Sequence, residues 1–228
     1  MQYEENIRVA LRALIDHKFR SFLTMLSIGE GAKREAIAKY QDLGVNNIII
    51  REKKLSDQEL EEVRAKFSPG LSLQDASVIK EIVPGVTNTA SQSELSTDVK
   101  YTDKSAKSTV IGITPEFVNI MNYKTGKGEF IGEKHYNSAL RVCVLGAGVA
   151  RTLFGSENPI GKMVKISDQW FEVSGVLQSK TLFTETVGEL AARDLNNDIY
   201  VPLSTFLNRF THENVLASQI QQITVQVE

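Results

Sequence analysis

The most regular part of the sequence is residues 141–177, where short apolar runs surround one helical pattern. "RVCVLG" predicts a buried strand, and "AGVARTLFG" has the apolar spacing of a helix. "KMVKI" and "WFEVSGVL" then predict two more strands joined by a tight turn. This order of elements predicts a fold that mixes α and β structure.

Two further helices are predicted before this block. Ser72 and Asp75 form a capping-box pattern at the start of one helix, and Pro84 stops it. Earlier in the chain, "GAKREAIAKYQDL" has a helical pattern, and Gly44 follows it where a C-terminal cap is expected. Both helices are therefore predicted from end signals as well as from periodicity.

A strand pair is predicted between these helices and the regular block. "TNTASQSELSTDVKYT" and "KSTVIGIT" are alternating and rich in threonine, which favours two strands turning at "TDKSAKS". "PEFVNIM" predicts a short helix, with Pro115 suited to its first position.

The two ends of the chain carry similar patterns. "VNNIIIRE" predicts a buried strand, and the charged residues 53–70 predict a surface excursion. "DIYVPL", "STFLNRF" and "QIQQITVQVE" predict a strand, a helix and a last strand. We interpret the ends as two related units that meet in one sheet, with the middle block inserted between them.

Composition narrows the class of protein. With 228 residues and a hydrophobic fraction of 42%, the chain can bury a core as one large domain or two small ones. The chain has 26 basic and 28 acidic residues, and this balance of charge does not favour a nucleic-acid partner. Cys143 is the single cysteine, so no internal disulfide forms, and its apolar surroundings predict a buried structural thiol.

The N-terminal residues predict a basic amphipathic helix. Its apolar stripe includes Ile7, Leu11 and Leu14. Arg8, Arg12, Lys18 and Arg20 are the candidate membrane-surface residues, with stems that extend toward lipid phosphates. The alternative is a surface helix packed on a protein core. No apolar run reaches eighteen residues, so the sequence predicts no transmembrane helix, and the scattered basic residues disfavour a cleavable secretory signal.

One motif resembles the start of a dinucleotide-binding fold. In "VCVLGAGVARTLFG" a strand leads into Gly146 and Gly148 and then into a helix, with Asp168 downstream. Arg151 occupies the position of the third glycine, which disfavours the close packing that the motif needs. We interpret the pair of glycines as a tight turn.

The remaining candidate sites are weaker. "GSENPIGKM" has five residues between its glycines instead of four, and Met163 follows Lys162 where a phosphate-binding loop needs a hydroxyl. The histidines, His17, His135 and His212, lack metal-ligand spacing. The sequence therefore predicts no catalytic residue, no cofactor and no metal, although an enzyme site assembled only in three dimensions stays open.

Eight segments, taken in order, resemble a known family. They are "NIRVALRALIDHKFRSFLTML", "SIGEGAKREAI", "LGVNNIII", "VIGITPEF", "RVCVLGAGVARTLFG", "NPIGKMVKI", "FEVSGVL" and "DIYVPLSTF". Together they are similar to the extracytoplasmic core of MacB-type, FtsX-like ABC transporter permeases over almost the whole chain. In that family "FLTML" begins the first transmembrane helix, whereas here Leu26 is followed directly by Ser27, so the expected apolar span is absent.

The resemblance implies an α+β, two-lobed extracytoplasmic domain. Residues 1–27 would comprise the membrane-surface helix and the remnant of the first transmembrane helix. Residues 28–102 and 181–228 would form a porter-like lobe of βαβ units, and residues 103–180 an inserted small α/β lobe.

The resemblance also implies a role without chemistry in this domain. An ABC ATPase subunit or domain would drive motion through the membrane, and the lobes would export a substrate or activate a partner. A periplasmic adaptor or envelope protein, a second permease and the membrane are the implied partners. The implied location is the bacterial inner membrane, with this domain in the periplasm or outside the cell.

Two alternatives stay open at this point. The first is a free-standing soluble binding module with the same fold and a product close to 25.3 kDa. The second is a nucleotide-dependent enzyme that uses "GAGVA", which predicts cofactor binding by the isolated domain.

Overall fold

The computed structural model describes residues 29–31, 33, 47–52, 70–179, 195–210 and 220–227. The chain divides into two compact units, Met1–Val45 and Asn46–Glu228, and the strands and helices named below belong to the second. The helices are α1 (Leu73–Ile82), α2 (Phe117–Ile120), α3 (Glu133–Asn137), α4 (Ala147–Phe154) and α5 (Leu203–Arg209), and a 3-10 turn spans Leu195–Asn197. The strands are β1 (Asn47–Arg51), β2 (Val86–Tyr101), β3 (Lys104–Ile113), β4 (Thr125–Gly128), β5 (Val142–Leu145), β6 (Met163–Ile166), β7 (Gln169–Leu177), β8 (Asp198–Pro202) and β9 (Gln222–Val227).

These strands form one sheet in the order β1-β9-β2-β3-β8-β5-β7-β4, and β6 pairs with both β2 and β7. The pairs β3–β8 and β5–β7 are parallel and the other pairs are antiparallel. Because β6 joins β7 back to β2, the strands β2, β3, β8, β5, β7 and β6 close into a ring of hydrogen-bonded neighbours, here called the strand ring. Such closure leaves few free strand edges.

The main hydrophobic core lies on one face of these strands, and α4 packs into it. Fully buried members of this core are Val99, Val110, Cys143, Leu145, Leu153, Val164, Ile166, Phe171, Val173, Ile199 and Val201. Alternation along β7 produces this arrangement, since Phe171 and Val173 enter the core while Trp170 and Glu172 are exposed.

A second core covers part of the opposite face. It contains Ile111, Ile113, Phe117, Tyr123, Val144 and Tyr200. The Tyr200 hydroxyl donates to the Tyr123 hydroxyl at 3.2 Å, and the two rings meet edge to face. This second core reaches β7 only at its end, at Leu177, and leaves Trp170 and Glu172 in the first half of that strand exposed.

Several predictions are confirmed. Ser72 and Asp75 form the capping box of α1, with the Ser72 N–H donating to Asp75 Oδ2 at 2.7 Å. The regular block folds as β5, α4, β6 and β7. Cys143 is fully buried. The α+β class is confirmed as well.

Other predictions need correction. The strand Asn47–Arg51 is not buried, because it pairs only with β9 among the described strands and leaves Ile48 54% and Ile49 46% exposed. The β2–β3 turn is shorter than predicted, since pairing continues to Tyr101 and Lys104. Pro115 precedes the N-cap of α2 and is not its first helical residue.

Parts of the sequence interpretation lie outside the described residues. They include the N-terminal amphipathic helix, most of the helix before Gly44, and residues 53–69 of the charged excursion. The division into two lobes stays a prediction, and its boundary at residues 102 and 103 falls within the β2–β3 turn.

Candidate interaction site

A shallow groove lies on the outward side of the strand ring, where β5, β7 and β6 run side by side. Register brings its central residues together, because Glu172 pairs with Val142 on one side and with Met163 on the other. Trp170 lies two residues before Glu172 on β7 and pairs with Lys165 of β6. Residues two apart on a strand share a face, so Trp170 and Glu172 line the same side.

The groove has a volume of about 730 Å³ and opens into solvent. Its lining residues are Leu140, Arg141, Val142, Met163, Trp170 and Glu172, and we call this set the Trp170 groove. Trp170 is 51% exposed and Met163 is 45% exposed. These two exposed side chains line one groove, which makes it a candidate interaction site.

One wall of the groove is formed by the chain just before β5, and hydrogen bonds from α5 hold this wall in place. The buried Thr205 hydroxyl donates to the Leu140 carbonyl at 2.8 Å, and the Ser204 hydroxyl donates to the Tyr136 carbonyl. Within this wall, the His135 Nδ1 accepts from the Gly132 N–H at 3.2 Å. Because Leu203 and Phe206 of α5 are also buried in the main core, these hydrogen bonds connect the wall to that core.

The charges of the groove are of both signs. Arg141 and Glu172 contribute one each, and the Glu172 N–H donates to the Arg141 carbonyl at 2.9 Å, which holds the two residues next to each other. Neither charged side chain forms a salt bridge with another residue in the described part of the chain. Lys165 differs, since its ammonium pairs with Asp168 at 3.2 Å.

Cys143 lies directly behind the groove, on the core side of β5. Burial raises the pKa of its thiol above the ordinary value of 9.0, and the nearby Glu172 carboxylate raises this pKa further. The neutral thiol therefore acts as a small apolar core group, as the sequence indicated.

The dinucleotide-like glycines have a packing role. A side chain at Gly148 would come within 2.7 Å of the Asn197 Oδ1 and 2.9 Å of the Asn196 carbonyl oxygen. The Gly146 N–H donates to the Asp198 carbonyl at 2.8 Å. The 3-10 turn thus packs directly on the start of α4, where the pyrophosphate of a dinucleotide would bind. This packing agrees with the interpretation of a tight turn.

The loop that imitates a phosphate-binding loop is a connector. The Lys162 ammonium pairs with Glu157 at 3.1 Å, and this hydrogen bond raises the pKa of Lys162. The Tyr101 hydroxyl donates to the same Glu157 carboxylate at 3.4 Å. Lys162 is therefore paired within its own loop.

The predicted membrane-surface residues Arg8, Arg12, Lys18 and Arg20 lie outside the described residues, as do His17 and His212. Of the histidines, the structure places His135 in α3, with its Nε2 3.4 Å from Glu129. Within the described ranges, no group of three His, Cys, Asp or Glu side chains could hold a metal ion. No helix among those residues is long and apolar enough to cross a membrane.

Sequence reasoning missed the Trp170 groove. One signal was available: in "WFEVSGVL" the alternation that buries Phe171 and Val173 must turn Trp170 outward. The other wall could not be found this way, because Leu140 precedes β5 in an irregular segment.

The comparisons with known proteins agree with one another. The family model described as MacB-like periplasmic core domain matches residues 21–228. A macrolide export ATP-binding/permease protein MacB from Bdellovibrio bacteriovorus is 28% identical over 228 residues, covering 94% of this chain and 34% of that protein.

Two solved structures share the fold. The periplasmic region of MacB from Actinobacillus actinomycetemcomitans aligns with a TM-score of 0.62 at 22% identity, covering 83% of this chain and 78% of that one. The extracellular domain of the noncanonic ABC-type transporter YknZ from Gram-positive bacteria aligns with a TM-score of 0.61 at 22% identity, covering 80% of this chain and 84% of that one. The chain spans about a third of the length of the MacB proteins that it matches.

Proposed function

The chain belongs to the family of MacB-like periplasmic core domains, and from this premise we propose that it transmits ATP-driven motion of an ABC transporter permease to a partner or substrate outside the cytoplasm. The ATPase would be a separate domain or subunit. The domain would sit on the outer side of the inner membrane, and the permease would work as a pair.

The observation that carries the proposal is the continuity of the sheet. β1 and β9 pair so that Asn47 lies opposite Gln226, which puts the start of one strand beside the end of the other. From this pair, hydrogen bonding runs without a break through β2 and the strand ring to the Trp170 groove. A load applied at β1 and β9 would thus move the groove as part of one packed body, because packed interiors deform little.

Partner contact is the second part of the proposal. A periplasmic adaptor or another envelope protein would meet the exposed outer surfaces of the domain. The basic residues Arg8, Arg12, Lys18 and Arg20 would rest on the cytoplasmic membrane surface, as the resemblance implies.

A free-standing binding module is the second candidate function. The Trp170 groove favours it, because a half-exposed tryptophan beside Leu140 and Met163 can bind a partner without any membrane helix. The dinucleotide enzyme is disfavoured, since the 3-10 turn packs where its cofactor would need to bind.

Fractionation of source cells separates the two candidates. An antibody raised against residues 28–228 is used to probe inner-membrane and soluble fractions by immunoblot. A membrane band well above 25.3 kDa supports the permease, and a soluble band at that mass supports the free-standing module.

A further inference from the structure

We infer that the Trp170 groove is a self-association surface on which a second copy of this chain docks about a twofold axis. This inference deepens the proposed function, because it assigns one face of the domain to the pairing of two permeases. Its test requires only the chain itself, so its failure can be told apart from failure of the transport role.

The first argument is charge complementarity of the groove with itself. Arg141 and Glu172 are neighbours of opposite sign at the same site, and neither makes a salt bridge with another described residue. In a twofold interface each residue meets its counterpart in exchange, so Arg141 of one copy can face Glu172 of the other, and the reverse. The same patch on each copy would thereby form two ion pairs across the interface, each between Arg141 of one copy and Glu172 of the other.

The second argument is the apolar surface around these charges. Val142 and Met163 flank Glu172 across the strands, and Trp170 and Leu140 extend the same surface. Aromatic residues and methionine are enriched where protein surfaces meet, and tryptophan is among the residues that contribute most to binding. Two such patches stacked on each other would remove both indoles from water.

The size of the groove sets the expected strength. Six lining residues are far fewer than the 20 to 30 per side of a standard interface. The free chain should therefore associate weakly. Two copies held in one membrane would still pair, because tethering raises their effective concentration to roughly the millimolar range.

The test is a charge swap on the full 228-residue chain. Arg141→Glu and Glu172→Arg are each expected to weaken association at least tenfold, since either change puts like charges opposite each other at two places. The double variant restores both pairs and should return to the wild-type dissociation constant. An equimolar mixture of the two single variants should form a heterodimer, because each then supplies what the other lacks.

Two readouts report on the association. Sedimentation equilibrium up to about 1 mM gives the dissociation constant, and this ceiling matches the millimolar range of tethered partners. Trp170 is the only tryptophan, so its emission reports on the groove and should shift to the blue as the dimer forms. Lys107→Glu, at an exposed position in the first half of β3, is the charge-matched control for Arg141→Glu and should leave both readouts unchanged.

The inference is overturned if the wild-type chain stays monomeric over this range. It is equally overturned if all variants associate alike without a shift in Trp170 emission, which would place the contact elsewhere, for example in residues 1–26. Emission that changes only when a different protein is added would assign the groove to a heterologous partner and also refute the inference.

Discussion

A glycine near the end of β3 provides the most demanding test of the packing. A Cβ atom at Gly112 would lie 2.5 Å from the Cβ and 2.6 Å from the Cγ of Phe206 in α5. Both distances are roughly 1 Å shorter than the optimal separation of carbon atoms. Gly112→Ala must therefore displace α5 or the strand, and we expect it to lower the free energy of unfolding by about 1–3 kcal/mol.

Urea unfolding followed by circular dichroism measures this change in the free energy of unfolding. In a thermal scan, the melting temperature should fall by about 2–4 °C for each kcal/mol lost. Gly126→Ala in β4 is the matched control, because its Cβ would meet its nearest neighbour at an ordinary 3.5 Å. Gly126→Ala should be neutral or slightly stabilising, since alanine loses less conformational entropy than glycine when it is placed in a strand.

A double-mutant cycle identifies the cause. Phe206→Ala alone should lose about 3–5 kcal/mol, because Phe206 is fully buried. When Gly112→Ala is added to that variant, the overlap is gone and the new methyl fills part of the cavity, so the second change should be neutral or stabilising. If Gly112→Ala is as harmful with Phe206 absent as with it present, the packing argument is wrong.

Three further predictions concern stability, pH and the membrane. Ser108→Ala should raise the free energy of unfolding by about 1 kcal/mol, because the buried Ser108 hydroxyl is without a hydrogen-bond partner in the part of the chain described; a loss of stability in urea titration would show that this hydroxyl is paired. Burial raises the pKa of the Cys143 thiol in the folded state, so this thiol keeps its proton at a pH at which the unfolded thiol ionises. The free energy of unfolding should therefore fall as the pH rises through about 9, and it should fall less in Cys143→Ala. Equal pH profiles for the two proteins refute this. Replacing the four basic residues of the predicted N-terminal helix by glutamine should reduce flotation of the chain with anionic vesicles and leave neutral vesicles unaffected. Unchanged flotation favours the alternative prediction of a helix packed on protein.

Local signals predicted local structure well. The side chains of Ser72 and Asp75 are three residues apart, so the capping box depends on nothing outside α1. The alternation around Phe171 likewise follows from the strand itself. Such features involve neighbours in sequence, and a sequence displays those directly.

Features that depend on distant contacts were missed. Isoleucines at positions 48–50 favour a buried strand, but the place of β1 beside β9 alone, among the described strands, leaves two of them exposed. Closure of the strand ring depends on two residue pairs between β2 and β6, which are more than 60 residues apart. The Trp170 groove needs the parallel pairing of β5 with β7 and the Thr205 hydrogen bond to Leu140, and no local pattern encodes either.

A substitution at Trp170 tests whether this side chain is required for self-association and not for folding. The fold requires Phe171 to be inside, and alternation then requires only a strand-forming residue at position 170. Trp170→Thr keeps strand propensity and removes the exposed indole, so we expect it to lower the free energy of unfolding by less than about 1.5 kcal/mol, against about 3–5 kcal/mol for Phe171→Ala. The same substitution should abolish self-association in sedimentation equilibrium. A loss of stability as large as that of Phe171→Ala would mean that the indole belongs to the core of this domain, and its exposure would then be no evidence for an interface.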